Sequence, residues 1–195
     1  MAQQTKLKVH KVLKFIKCNN LKLFSKIIFI CLFFLLLFTK SSFAASSYVL
    51  PYPSTMPGSI FYKINLVKEV VLKYWYFGDF GQFTYNLKES DKYLVEAKTL
   101  FEYNQYLLGY RALQKSDQYF VKTLPNLNAA KAHGKDISEN RTILSQAALK
   151  HIETLSQIKT SVPSSFLWQP EKVNSTNLDL RDTIDSSIKL RTNYL

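Results

Sequence analysis

Phe83-Thr-Tyr-Asn-Leu-Lys-Glu-Ser-Asp-Lys-Tyr-Leu-Val-Glu-Ala-Lys-Thr-Leu-Phe101 decides the fold. Phe83, Leu87, Ser90, Leu94, Ala97 and Phe101, continued by Asn104 and Leu108, alternate steps of four and three. Apolar and small side chains at that spacing form one stripe along an α-helix. Glu89, Asp91, Lys92, Glu96 and Lys98 fall on the other face, which reads as solvated. The spacing predicts a helix of about 25 residues, broken or kinked at Gly109.

The same periodicity extends in both directions. Upstream, Ser59 is a plausible N-cap after Gly58. Ile60, Ile64, Val67, Val71 and Tyr74 follow as an inward stripe, and Phe77-Gly-Asp79 stops the helix. Downstream, a third helix starts near Tyr110 and passes Leu113, Ser116, Phe120 and Leu127, with Pro125 kinking it or ending its first half near Leu124. Asp136-Ile-Ser138 caps a fourth, which carries Leu144, Ala148, His151, Leu155 and Ile158. A last helix fits Ser175 onward, with Leu178, Ile184 and Ile188 inward. No strand-like alternation is visible. The pattern predicts an all-α antiparallel helical bundle of about five helices.

A different kind of segment precedes the helices. Tyr48-Val-Leu-Pro-Tyr-Pro-Ser-Thr-Met-Pro-Gly58 holds prolines at 51, 53 and 57, which keep it extended. Leu50 and Tyr52 are expected to strap across helices one and two. Leu50, Pro51, Tyr52, Pro53 and Trp75 are therefore candidates for a structural strap or a partner contact. Trp75 belongs to Tyr74-Trp-Tyr-Phe77, a cluster expected to plug one end of the bundle.

Upstream again, the composition changes. Residues 1–44 hold eight lysines and no acid, both cysteines, and the uncharged run Ile27–Phe38. A basic start, a short apolar core and the small residues around Ser42-Phe-Ala44 make a secretory signal, cut after Ala44. The alternative is an uncleaved anchor, with membrane attachment through residues 27–38. As a helix that run spans only about 18 Å of a roughly 30 Å hydrocarbon core. Either form places the chain after Ser46 outside the cytoplasmic membrane. The organisation is then a signal peptide or anchor at 1–44, an extended Pro-rich segment at 45–58, and a helical domain at 59–195.

The charge follows the same division. The chain carries +12 overall, which alone would suggest nucleic acid. Residues 45–195 carry 18 basic and 14 acidic groups, a net of +4, with no basic stripe. Nucleic acid is therefore not an expected partner. The absence of cysteine after Cys31 excludes a disulfide framework, a Cys-ligated metal and a thiol nucleophile in the helical domain.

Constellations that carry chemistry are sparse. His151 lies on an apolar stripe and reads as a buried, hydrogen-bonded histidine, and His133 sits at a helix end beside Gly134. Asp179, Asp182 and Asp185 read as a solvated helix face, since a calcium site needs a loop around the ion. Gly78-Asp-Phe-Gly81 reads as a turn. No catalytic, cofactor-binding or metal-binding set is assigned, and no enzyme activity is expected.

Tyr48-Val-Leu-Pro-Tyr-Pro53, Met56-Pro57, Ile60-Phe-Tyr-Lys63, Phe77-Gly-Asp-Phe80, Asp91-Lys92, Leu94-Val-Glu-Ala-Lys98 and Ser116-Asp117 together resemble a bacterial family of secreted or membrane-anchored helical domains of unknown function. The resemblance spans about Tyr48 to Leu155. Ser54, Ile60 and Tyr93 depart from the family pattern, where glycine, proline and arginine are usual. It implies bacterial origin, export and an all-α fold, and it brings no catalytic residue. The expected function is a non-enzymatic, partner-binding or structural module of the bacterial cell envelope with a protein partner there. The alternative is an envelope ligand or metal sensor built as a helical bundle.

Overall fold

The computed structural model describes residues 48–53, 55–172 and 174–195. The expected signal or anchor, its apolar run 27–38 and the cut after Ala44 lie outside the described residues. Residues 45–195 form one compact unit.

The described chain is mainly helical. In order come α1 (Ile60–Trp75), α2 (Gly78–Glu102), α3 (Tyr106–Phe120), α4 (Thr123–Ala132), α5 (Ser138–Ser161), β1 (Ser165–Trp168), β2 (Thr176–Asp179) and α6 (Leu180–Thr192). Ser59 caps α1 by accepting from the Phe61 amide at 3.3 Å. Asp136 holds the start of α5 through the Ser138 amide at 2.9 Å.

Helix α2 is the central element and packs most extensively on α3. Phe83, Leu87, Ser90, Leu94, Ala97 and Phe101 are all buried, as their spacing predicts. Ser90 and Ser116 meet where α2 and α3 cross. The Ser90 hydroxyl donates to the Ser116 carbonyl at 3.0 Å, and the Ser116 hydroxyl donates to the Ser90 carbonyl at 2.8 Å. Two small polar residues thus let the backbones approach while satisfying each other.

The end of α2 differs from expectation. The helix stops at Glu102, before Gly109. Asn104 takes a left-handed conformation (φ 58°) that asparagine tolerates. The Gln105 amide bonds to the Leu100 carbonyl at 2.8 Å, and that of Asn104 to Phe101 at 3.0 Å. This αL closure starts α3 four residues earlier than the sequence suggested. Gly109 lies inside α3 and has a packing role: an added Cβ would come within 2.9 Å of the Phe101 ring. Similarly, α3 ends at Phe120, ahead of Pro125, which sits in the first turn of α4 where its missing N–H costs little.

Two apolar clusters fill the interior. Leu94, Leu100, Leu113, Leu155, Ile158 and Ile184 belong to one, and Phe83, Leu87, Phe120, Leu127 and Leu144 to the other. Leu144, Ala148, His151, Leu155 and Ile158 of α5 are all buried, again as expected.

An antiparallel pair of strands replaces the expected start of the last helix. Ser165 pairs with Asp179 and Trp168 with Thr176, in one continuous register. Each strand has four residues, too few for an alternating pattern to stand out. The pair sets the start of α6, whose Leu180 amide donates to the Ser164 carbonyl at 3.0 Å.

Candidate interaction surface

Helix α1 is where structure and sequence expectation part most. The stripe expected to face inward, Ile60, Ile64, Val67, Val71 and Tyr74, faces solvent; Ile64 is 57% and Tyr74 76% exposed. Trp75 and Phe77 are 75% and 85% exposed, so the aromatic cluster does not plug the bundle. Only Glu69 of α1 is buried.

The opposite face of α1 explains this orientation. Glu69 pairs with Lys92 through one carboxylate oxygen and accepts from the Tyr93 hydroxyl at 2.7 Å through the other. Tyr62 donates to Glu96 at 3.2 Å, and Tyr85 donates to the Glu69 carbonyl at 3.2 Å. Gln82 reaches back to the carbonyls of Lys73, in the last turn of α1, and of Tyr76, just beyond it. Helix α1 is therefore docked through polar groups, and its apolar face is left outside.

That docking overturns a second expectation. The spacing places Glu89, Asp91 and Glu96 on a solvated face of α2, yet all three are buried. Because α2 is covered on more than one side, its charged stripe becomes a seam between helices. Burial pushes the Glu89 and Glu96 carboxyls above their usual range, with Lys92 opposing in both cases. Burial, reinforced by Glu96, also raises the Tyr62 phenol to about 12. Glu96 Oε2 has no hydrogen-bond partner among the described residues.

A separate buried network ties α2, α3, α5 and α6 together. His151 Nε2 lies 2.7 Å from Asp91 Oδ1, and the Tyr48 hydroxyl donates to Asp91 Oδ2 at 2.5 Å. Arg191 donates from Nε to His151 Nδ1 at 2.9 Å, from Nη1 to Asp117 at 2.6 Å, and from Nη2 to the Ser116 hydroxyl at 2.9 Å. The Ser187 hydroxyl donates to the second Asp117 oxygen at 2.6 Å. His151 and Arg191 are wholly buried. An acid, a base and a cation in contact resemble catalytic parts. Here their polar atoms are occupied by one another, with only Asp117 keeping an edge in solvent, an arrangement suited to holding helices together.

Of the candidate strap residues, Leu50 packs against the core. Its segment runs over α2 and α5, where the expectation had helices one and two. Tyr48, Leu50, Pro51 and Pro53 form one wall of a hollow of about 470 Å³, and Val95, Thr99, Lys150 and Thr154 line the other side. Tyr52 is 95% exposed and contributes nothing to the strap. The anchor that spacing could not reveal is Tyr48. Tyr48→Phe is expected to lower stability by about 1–2 kcal/mol, since Asp91 loses a charge-assisted donor. Thermal melts check this, and a deletion of residues 48–57 should cost more than the single hydroxyl. An unshifted midpoint for both would show that the strap holds nothing.

His133 caps α4 and contacts Asp79 at 2.8 Å, beside Lys135 at 3.0 Å. Both hold the Asp79 carboxyl below its usual range, the His133 hydrogen bond most. Asp185 pairs with Lys159 at 2.6 Å on an exposed face. Among the described residues, no three His, Cys, Asp or Glu groups are placed to hold a metal, and no helix is long and apolar enough to cross a membrane. No family model matches the chain, and no curated protein or solved structure does.

Proposed function

We propose that this chain is an exported, non-enzymatic helical module of a bacterial cell envelope, and that α1 is its interaction surface. One observation carries the proposal: α1 presents Ile60, Phe61, Ile64, Val67, Val71, Tyr74 and Trp75 to solvent while burying only Glu69. Apolar side chains grouped on one outward face mark a surface that another body covers. Export is supported by the lysine-rich start, the apolar run 27–38 and the small residues up to Ala45. Bacterial origin and an envelope setting rest on the likeness of the Tyr48–Pro53 motif to the family described above. A non-enzymatic role is supported by the mutual pairing of Asp91, His151, Arg191 and Asp117 and by the burial of the first three.

A photoreactive residue at Val67 in intact cells tests the proposal. It should form adducts there, whereas the same residue at exposed Asp182 should not. Ile64→Asp, Val67→Asp and Val71→Asp combined should leave the melting midpoint within about 2 °C, because these side chains already face water. A drop beyond about 5 °C would mean that the face packs within the chain. Equal labelling at both positions would remove α1 as the surface.

The alternative, an envelope ligand sensor, keeps one supporting observation. A hollow of about 430 Å³ beside α4 is lined by Lys73, Lys122, Tyr85, Tyr119 and Asn126, and the Asn126 side-chain Nδ2 has no hydrogen-bond partner among the described residues.

A further inference from the structure

The identity of the body that covers α1 can be read from the helix itself, given the proposed role of that face. Ile60, Ile64, Val67 and Val71 form a row that ends on Tyr74 and Trp75, all exposed. At roughly 100° per residue, Lys63 and Lys68 fall on opposite margins of this row. Both are exposed. The helix has one acid, Glu69, and it is turned inward onto Lys92 and Tyr93. The outward half of α1 is thus aliphatic in the middle, aromatic at one end and positive at both edges.

A second copy of the chain fits this surface poorly. A two-fold contact through α1 would set lysine margins against lysine margins, with no acid of the helix accessible to offset them. An anionic bilayer fits each part. Its acyl region takes the aliphatic row, its interfacial zone takes tyrosine and tryptophan, and its headgroups meet the lysines. At 16 residues α1 is short for a span, so it would lie in the plane of the surface. An isolated amphipathic helix leaves its polar face to water. In this chain α2 takes that face, so the domain would sit on the membrane through α1. Chain order agrees: only residues 39–59 separate α1 from the apolar run 27–38. We infer that the outward face of α1 seats on an anionic lipid bilayer, with the helix axis parallel to the surface.

Trp75 reports on this directly. The chain has two tryptophans, so Trp168→Phe leaves Trp75 alone. The full chain with that substitution is placed in vesicles rich in phosphatidylglycerol. Trp75 emission should be blue-shifted, and lipids brominated on the acyl chain should quench it by about twofold. Lys63→Gln with Lys68→Gln should weaken the quenching, and raised salt should do the same. Ile64→Asp with Val71→Asp should abolish it and restore the emission of a water-exposed indole.

Water-exposed emission without bromine quenching in the parent protein overturns the inference. So does a Trp75 shielded from both bromine and aqueous iodide with Val67 cross-linking to protein. That second result assigns the face to a protein partner and leaves α1 standing as the interaction surface. Should the aspartates change neither quenching nor cross-linking, the surface itself is misassigned and both readings fall.

Discussion

Arg191→Ala is expected to destabilise the domain by about 3–5 kcal/mol, the range for breaking a buried ion pair from one side. The guanidinium is fully buried and joins two other helices to its own. It donates to His151 on α5 and to Ser116 and Asp117 on α3, and it also donates to the Ser187 carbonyl at 3.0 Å. Its plane lies over the Phe120 ring, 5.0 Å from the centroid. Truncation removes all of these at once. It leaves the Asp117 carboxylate without its cation and His151 Nδ1 without a donor, inside a cavity the size of the lost side chain. Asp117 keeps some contact with solvent, which tempers the loss. In a domain of this length the effect corresponds to about 6–20 °C in the melting midpoint. Arg191→Lys should rescue little, because one ammonium cannot reproduce a planar fork that reaches four acceptors. Arg191→Met should fall between, since it fills the space without restoring the bonds. A midpoint within about 2 °C of the parent for Arg191→Ala would show that the network contributes no stability.

The elements that were legible in the sequence share one property. Their stripes are apolar on the side that meets the core. Phe83 to Phe101 and Leu144 to Ile158 are such stripes, and burial of both follows from periodicity alone. Helix α1 has an equally regular stripe, and the periodicity gives the helix correctly. It cannot give the direction, because that is decided by Glu69 and Tyr62 meeting Lys92, Tyr93 and Glu96 on another helix. A polar seam between two helices leaves no signature in either one read singly. The Asp91–His151–Arg191 network was hidden for the same reason: its members lie 40 to 100 residues apart. Turn chemistry explains the rest. Asn104 supplies the left-handed residue at the turn, a place glycine more often takes, so Gly109 looks like a break although it serves close packing with Phe101. The strand pair is too short to carry a period of two. Of the candidate strap, Leu50 was identifiable as an apolar residue in an extended run. Tyr48 was not, because its value lies in a hydroxyl aimed at a buried carboxylate.

Acidification below about pH 6.5 should weaken the domain through His151. Arg191 Nε–H donates to His151 Nδ1, so that nitrogen is an acceptor, and the ring proton sits on Nε2 facing Asp91. A second proton would have to enter at Nδ1, displace the Arg191 bond and set two cations in contact. Burial, the largest influence, and the nearby Arg191 both hold the His151 pKa below its ordinary value, while Asp91 opposes them. In the unfolded chain the imidazole titrates near 6.5. Between the folded pKa and that value the unfolded state therefore binds more protons, and stability falls as pH falls. Above 6.5 the two states agree and His151 adds no slope. Glu89 and Glu96 act with the opposite sign. Their folded pKa values lie above the unfolded ones, so the folded state binds more protons in their window and gains stability on acidification. The unfolded carboxyls titrate near 4.3, so the part of this gain above that value counters the histidine loss. The His151 contribution cannot exceed about 1.4 kcal/mol per pH unit, or about 3–5 °C in the midpoint. His151→Gln keeps an acceptor for Arg191 and removes the titration. Its melting midpoint should be lower than the parent's at pH 7.5, yet change less between pH 6.5 and 5.5. Parallel profiles for the two proteins would mean that His151 is not held neutral in the fold.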